Sequence, residues 1–217
     1  MSRITSISAL VFVLFTSSAY ATSSERLYYA AKGGYLQAAT DLIEKSGAST
    51  SYITPNGETA LFAATQGNNL GMVKFLVERR ANINQPNQLG STPLHEASRI
   101  GNLALVQFLI EKNANINARN RDGVTPLHEA AAAGHFPIIQ HLVINGANTE
   151  AATVSGWLPL HHASRFGHIR ITSLLLHRGT PLYLRTGDGK SVFDLARISD
   201  NRQMTDYLKK YAAKIRR

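Results

Sequence analysis

The chain has 217 residues, 44% apolar and 17% charged, which is enough apolar material for a packed core and excludes a disordered tail. It has no cysteine, so a disulfide framework, a thiolate zinc site, a cysteine nucleophile and a lipid-bearing cysteine are all excluded. The formal net charge of +9 favours anionic partners and says nothing specific about the fold.

The N-terminus has the layout of a secretory signal peptide. Arg3 supplies the positive start, and Ile7 to Phe15 is apolar except for Ser8. Thr16 to Ala21 then closes it with small residues in an Ala-x-Ala ending. Cleavage is expected after Ala21, dividing the chain into a leader, 1–21, and a mature region, 22–217. The apolar stretch falls short of the about 20 residues that a bilayer span needs, and no later segment approaches that length. The mature region is therefore expected to be soluble and outside the cytoplasm. Removing the leader removes only Arg3, leaving 22 Lys and Arg against 14 Asp and Glu, a balance of +8.

Beyond the leader an internal repeat dominates. Gly57, Gly90, Gly123, Gly156 and Gly189 stand 33 residues apart. Behind the middle three come Thr92-Pro93-Leu94-His95, Thr125-Pro126-Leu127-His128 and Leu158-Pro159-Leu160-His161, with weaker copies at Thr59 and Ser191. Alanine recurs in phase at Ala64, Ala97, Ala130, Ala163 and Ala196. Each residue type has a physical reason. Threonine is a good helix N-cap, and proline at the next position has its φ preset and loses no helical bond. Leucine anchors the core, and alanine lets a neighbouring helix approach closely. A tight turn is predicted at Gly101, Gly134 and Gly167, with Asn68 in the equivalent place. The following segment carries a helical apolar face, for example Leu103, Val106 and Leu109, or Ile138, Ile139 and Leu142. Polar tips such as Asn120-Arg121-Asp122-Gly123 then read as β-turns.

A helix, a turn, a second helix and a β-turn finger at this period resemble the ankyrin-repeat family. The threonine-proline-leucine-histidine-x-alanine signature stands at 92–97 and 125–130. A degenerate earlier unit begins near Glu25, with Ala30-Ala31-Lys32-Gly33-Gly34 and Leu42-Ile43, giving about six units. The resemblance implies an all-α repeat solenoid in which the end units serve as caps. Lys32, Glu44 and Lys45 suit the polar outer side at the front. In the last helix Tyr207, Leu208 and Tyr211 pack inward while Lys209, Lys210 and Lys214 stay solvated. Arg80 occupies a helix-ending position where glycine is preferred, a cost of about 1 kcal/mol.

The eight histidines invite a metal-site reading, notably His161-His162 with His168, and His128 with His135 and His141. The resemblance instead makes His95, His128 and His161 the first-helix histidine that bonds across adjacent loops, with His135 and His168 following the inter-helix glycine. No metal site, cofactor site or catalytic site is expected: metal ligation needs convergent side chains, whereas these lie along a stack. Glu96 and Glu129 repeat in phase and read as helix surface. The protein is expected not to be an enzyme.

In the family, partners are held by the finger tips and the inner face of the first helices. Carried onto this sequence, those positions include Gln88, Leu89, Ser91, Arg99 and Ile100, then Arg121, Asp122, Val124, Ala132 and Ala133, then Val154, Ser155, Trp157, Arg165 and Phe166. Leu89, Arg99, Ile100, Arg121, Trp157, Arg165 and Phe166 form the candidate partner-binding set, because tryptophan and arginine on an exposed groove are the composition of a binding hot spot. The alternative is that Trp157 folds down over the neighbouring finger, compensating for Leu158 in the place of the capping threonine. The expectation is a monomeric protein-binding module in the bacterial periplasm or secreted space, resembling accessory, inhibitor or immunity-type proteins. Two further readings remain: a basic adhesin for an anionic polymer or surface, nucleic acid included, and a secreted effector acting in a host cell.

Overall fold

The computed structural model describes residues 22–215, so the predicted leader lies outside the described residues. Within them the chain folds into twelve helices and no strand. In order they are α1 Ser23–Gly33, α2 Leu36–Ser46, α3 Ala60–Gln66, α4 Leu70–Glu78, α5 Pro93–Ile100 and α6 Leu103–Glu111. The second half continues with α7 Pro126–Ala133, α8 Phe136–Ile144, α9 Pro159–Arg165, α10 Ile169–His177, α11 Val192–Ile198 and α12 Arg202–Ile215. Each odd-numbered helix pairs with the next helix in the chain, making six units.

The first helices form one row and the second helices another. Along the first row α1 packs on α3, α3 on α5, α5 on α7, α7 on α9 and α9 on α11. The phased alanines make this possible: Ala64, Ala97, Ala130, Ala163 and Ala196 are all fully buried, with no side chain to hold the helices apart. Leu61, Leu94, Leu127 and Leu160 fill the space between rows, each contributing about 2 kcal/mol by burial. In the second row the deepest residues are Met72, Val73 and Leu76, then Leu105, Val106 and Leu109. Leu103, by contrast, is only partly buried against this core, so the true inner edge of α6 is Leu105.

The cap chemistry follows the repeat. The Thr92 backbone N–H donates to His95 Nδ1 at 3.1 Å, and Thr125 repeats this with His128. His95 Nε2 then donates to the Val124 carbonyl at 3.0 Å, and His128 Nε2 to the Trp157 carbonyl at 3.0 Å. A carbonyl can only accept, so the proton sits on Nε2 and Nδ1 is the acceptor. Each ring thus caps its own helix and holds the next finger. His161 does the same from Leu158 N–H to the Leu184 carbonyl. Leu158 lacks a capping oxygen, and its side chain is buried in the core instead.

The turn positions adopt the left-handed backbone expected of them, including Asn68 at φ 53 and Arg80 at φ 62. At Gly134, φ is 81, and the His168 ring lies where a Cβ would come within 2.6 Å of it. That ring donates from Nε2 to the Ala132 carbonyl at 3.2 Å, tying one unit to the previous one.

A second set of ties was not legible as such in the pattern. Asn117 donates from Nδ2 to the Gly146 carbonyl at 3.1 Å and accepts from Asn148 N–H at 2.8 Å. Asn84 bridges the preceding pair of units to Asn113 and Asn115 in the same manner. At the front, Lys32, Glu44 and Lys45 are exposed, and Glu44 also pairs at 3.0 Å with Arg79, the C-cap residue of α4. At the back, Met204 and Leu208 are buried while Lys209, Lys210 and Lys214 are exposed. Among the described residues no helix is long and apolar enough to cross a membrane, and no three acidic or histidine side chains could hold a metal ion.

Candidate partner-binding groove

Successive fingers form a ladder along the stack. Gln88 N–H donates to the Asn56 carbonyl, Arg121 N–H to Leu89, Val154 N–H to Asp122 and Gly187 N–H to Ser155, at 2.7 to 2.9 Å. Each finger is closed from within: Asn120 Oδ1 accepts from Asp122 and Val124 N–H, and Thr153 Oγ1 from Trp157 N–H. The close approach of successive fingers demands glycine. Gly156 has φ 71, and a Cβ there would lie 2.7 Å from the Gly187 nitrogen. The tips are therefore held by backbone bonds, with side chains left free to point outward. Leu89 is 66% exposed and Val154 78%. Arg121 is exposed between them along the rim.

The floor is the exposed stripe of the first helices. On α9, Arg165 sits over Trp157 at 5.5 Å and over Phe166 at 5.7 Å, joining the three predicted residues into one cluster. Phe166 is 52% exposed. Trp157 is half-buried, with its ring 4.9 Å from His162, so it neither covers the finger completely nor stands free. Trp157, His162 and Arg165 line a cleft of about 300 Å³ together with Asp122, Val124, Thr153 and Ser155.

The other half of the predicted set lies apart. Arg99 and Ile100 are on α5, and α7 separates them from α9. Arg99 is not an open groove cation: it holds Glu96 through Nε at 3.0 Å and a terminal nitrogen at 2.6 Å. Ile100 is half-buried. Leu89 and Arg121 are joined by the backbone bond between their fingers.

The reading of Glu96 and Glu129 as plain helix surface is corrected. Glu96 is buried and bidentate with Arg99, and Glu129 is half-buried. Burial pushes the Glu129 carboxyl up, Arg99 pulls it down and Glu96 pushes it up again. His162 occupies the same repeat position one unit on. Both His128 and His162 are brought down to about 4, chiefly by burial, with repulsion from His162 and Arg119 adding to the shift of His128 and repulsion from His161 and Arg165 to that of His162. Their rings meet edge to face at 5.7 Å, and His162 Nε2 has no hydrogen-bond partner among the described residues. This column was missed because the signature leaves its residue unspecified. The signal was present in the register itself, where the position before each phased alanine runs Ala63, Glu96, Glu129, His162, Leu195.

A stack of helix pairs with a ladder of hydrogen-bonded fingers and an aromatic-cationic cluster beside it is a repeat solenoid of the macromolecule-binding class. The family model for ankyrin repeats matches residues 27–120 and 100–186, and the chain belongs to the ankyrin-repeat family. The helix pair α11–α12 continues the same architecture beyond the matched residues. No curated protein matches the chain. Ankyrin repeats generally mediate protein–protein interaction, and proteins built of them are typically non-enzymatic binding modules.

Proposed function

We propose that this protein is an exported module that binds a partner protein through its concave groove and finger tips. The observation that carries this reading is the cluster of Trp157, Arg165 and Phe166 on the groove floor beside exposed apolar tips. Aromatic and arginine side chains supply most of the energy at such surfaces, and a rim held by backbone bonds loses little entropy on binding. The layout of residues 1–21 supports export, and the partner is expected in the periplasm or secreted space, in an accessory, inhibitory or immunity-type relationship.

Affinity capture from a cell-envelope extract tests this, with the full chain and a Trp157→Ala/Phe166→Ala variant as baits at low and high salt. A specific protein retained at high salt and lost with the variant supports the groove, since truncating a hot-spot residue costs about 2 kcal/mol or more. Recovery that is equal for both baits discards it. N-terminal sequencing of the chain recovered from the envelope should begin at Thr22, and an intact Met1 would refute processing after Ala21.

A second reading rests on the exposed lysines of α12 and the net charge of +9. A basic surface of this kind holds anionic polymers, and its binding collapses as salt rises. A host-cell effector uses the same groove, because a leader reports only the first membrane crossed.

A further inference from the structure

The floor of the groove carries a broken charge pair. In the third unit Glu96 and Arg99, three residues apart on α5, close on each other. The fourth unit repeats the glutamate as Glu129 but has Ala132 where the arginine would be. The fifth repeats the arginine as Arg165 but has His162 where the glutamate would be. A histidine carries no negative charge in either protonation state, so His162 leaves Arg165 without a carboxylate on its own helix. Among the described residues the Glu129 carboxylate makes no hydrogen bond or ion pair, and the Arg165 guanidinium lies over the Trp157 and Phe166 rings and makes no ion pair. The one cation that acts on Glu129 at longer range, Arg99, is already bidentate on Glu96. Ala132 and Ala133 leave the floor low beside Glu129, and the cleft under Arg165 lies one unit along.

A half-buried charge without a partner costs free energy in the isolated protein, and the cost is recovered when an opposite charge arrives. Glu129 is such a half-buried charge, and Arg165 on the adjacent first helix is an exposed cation beside it, so the two make a dipolar receptor. We propose that the groove recognises an extended segment of the partner protein that places a lysine or arginine on Glu129 and an aspartate or glutamate on Arg165. Adjacent packed helices lie about 8–10 Å apart, and an extended chain rises about 3.3 Å per residue. The two partner charges are therefore about three residues apart. Arg165, stacked on Trp157, presents its guanidinium for a carboxylate, which it can grip with two bonds. This assignment rests on the groove-binding reading above and names the chemistry of its ligand.

The test uses phage-displayed random dodecapeptides selected on the immobilised full chain. Recovered peptides should carry a cation and an anion about three positions apart. A labelled representative should bind Glu129→Gln and Arg165→Gln roughly tenfold more weakly than the parent, about 1.4 kcal/mol per charge. Replacing the peptide's cation by glutamate should abolish binding to the parent and restore it to Glu129→Lys. Circular dichroism checks that each variant is folded, and the glutamine variants keep the test decisive where the lysine variant fails to fold. Peptides that lose binding with Trp157→Ala/Phe166→Ala but ignore both glutamine variants would overturn the charge pairing and leave the groove reading standing. Peptides indifferent to all of these variants, or no enrichment at all, would overturn both.

Discussion

Acidifying the protein from pH 7 to pH 5 should remove a large part of its folding stability, and the buried histidines set the amount. His128 and His162 have folded values of about 4, lowered from 6.5 mainly by burial. In the unfolded chain both rings take up protons as pH falls through 6.5, whereas in the folded chain they do so only near 4. The unfolded state therefore binds more protons throughout that window, and stability falls with pH across it. For one ring the loss at pH 5 is about 2 kcal/mol, rising to about 3 kcal/mol at pH 4. The two rings meet at 5.7 Å, and with each contributing about 2 kcal/mol their joint loss at pH 5 is about 4 kcal/mol. His95 and His161, also lowered by burial, push in the same direction. Glu129 pushes the other way, because its raised carboxyl favours the folded state as pH falls. The lowered carboxyls of Asp188 and Asp194 act only near and below about pH 4. Against a typical domain stability of about 5–15 kcal/mol, the histidine term is large.

Urea unfolding followed by far-ultraviolet circular dichroism at pH 7, 6 and 5, at constant ionic strength, measures it. The His162→Gln variant isolates one ring. Because Nε2 of His162 has no partner among the described residues, the change breaks no bond at that atom, and the variant should lose about 2 kcal/mol less than the parent by pH 5. A parent stability that is flat between pH 7 and 5 would refute the burial argument. Equal slopes in parent and variant would show that His162 is not held neutral by the fold.

Two further outcomes follow from the backbone. Gly156→Ala should destabilise the protein by about 2 kcal/mol or more in the same urea assay, since it forces a side chain into a left-handed turn and against the next finger's nitrogen. A melt unchanged from the parent would show that the fingers can separate freely. Arg80→Gly should stabilise by about 1 kcal/mol, because Arg80 is exposed and holds φ 62. A loss of stability would mean that the arginine side chain makes up for its backbone.

The fold was legible because its determinants are local and repeated. Glycine at a left-handed position, threonine and proline at a helix start, and leucine and alanine behind them constrain the backbone within about one turn of themselves. Repetition made the reading secure even where single copies are weak, as at Thr59 and Ser191. The roles of His95, His128 and His161 were legible for the same reason. The candidate site was only partly so. Trp157, Arg165 and Phe166 do form one cluster, but Arg99 is spent on Glu96, and Ile100 belongs to a separate unit.

What the sequence by itself determined is the architecture: the period, the helix pairs, the turns and which positions face the groove. Only the tertiary structure decided which of those groove charges are free. Sequence places Glu96 and Glu129 at equivalent positions and Arg99 and Arg165 at equivalent positions, yet one of each is closed in a bidentate pair and one of each is open. The difference is one of packing: a charge is silent when its partner stands one helical turn away, and available when alanine or a neutral histidine stands there instead.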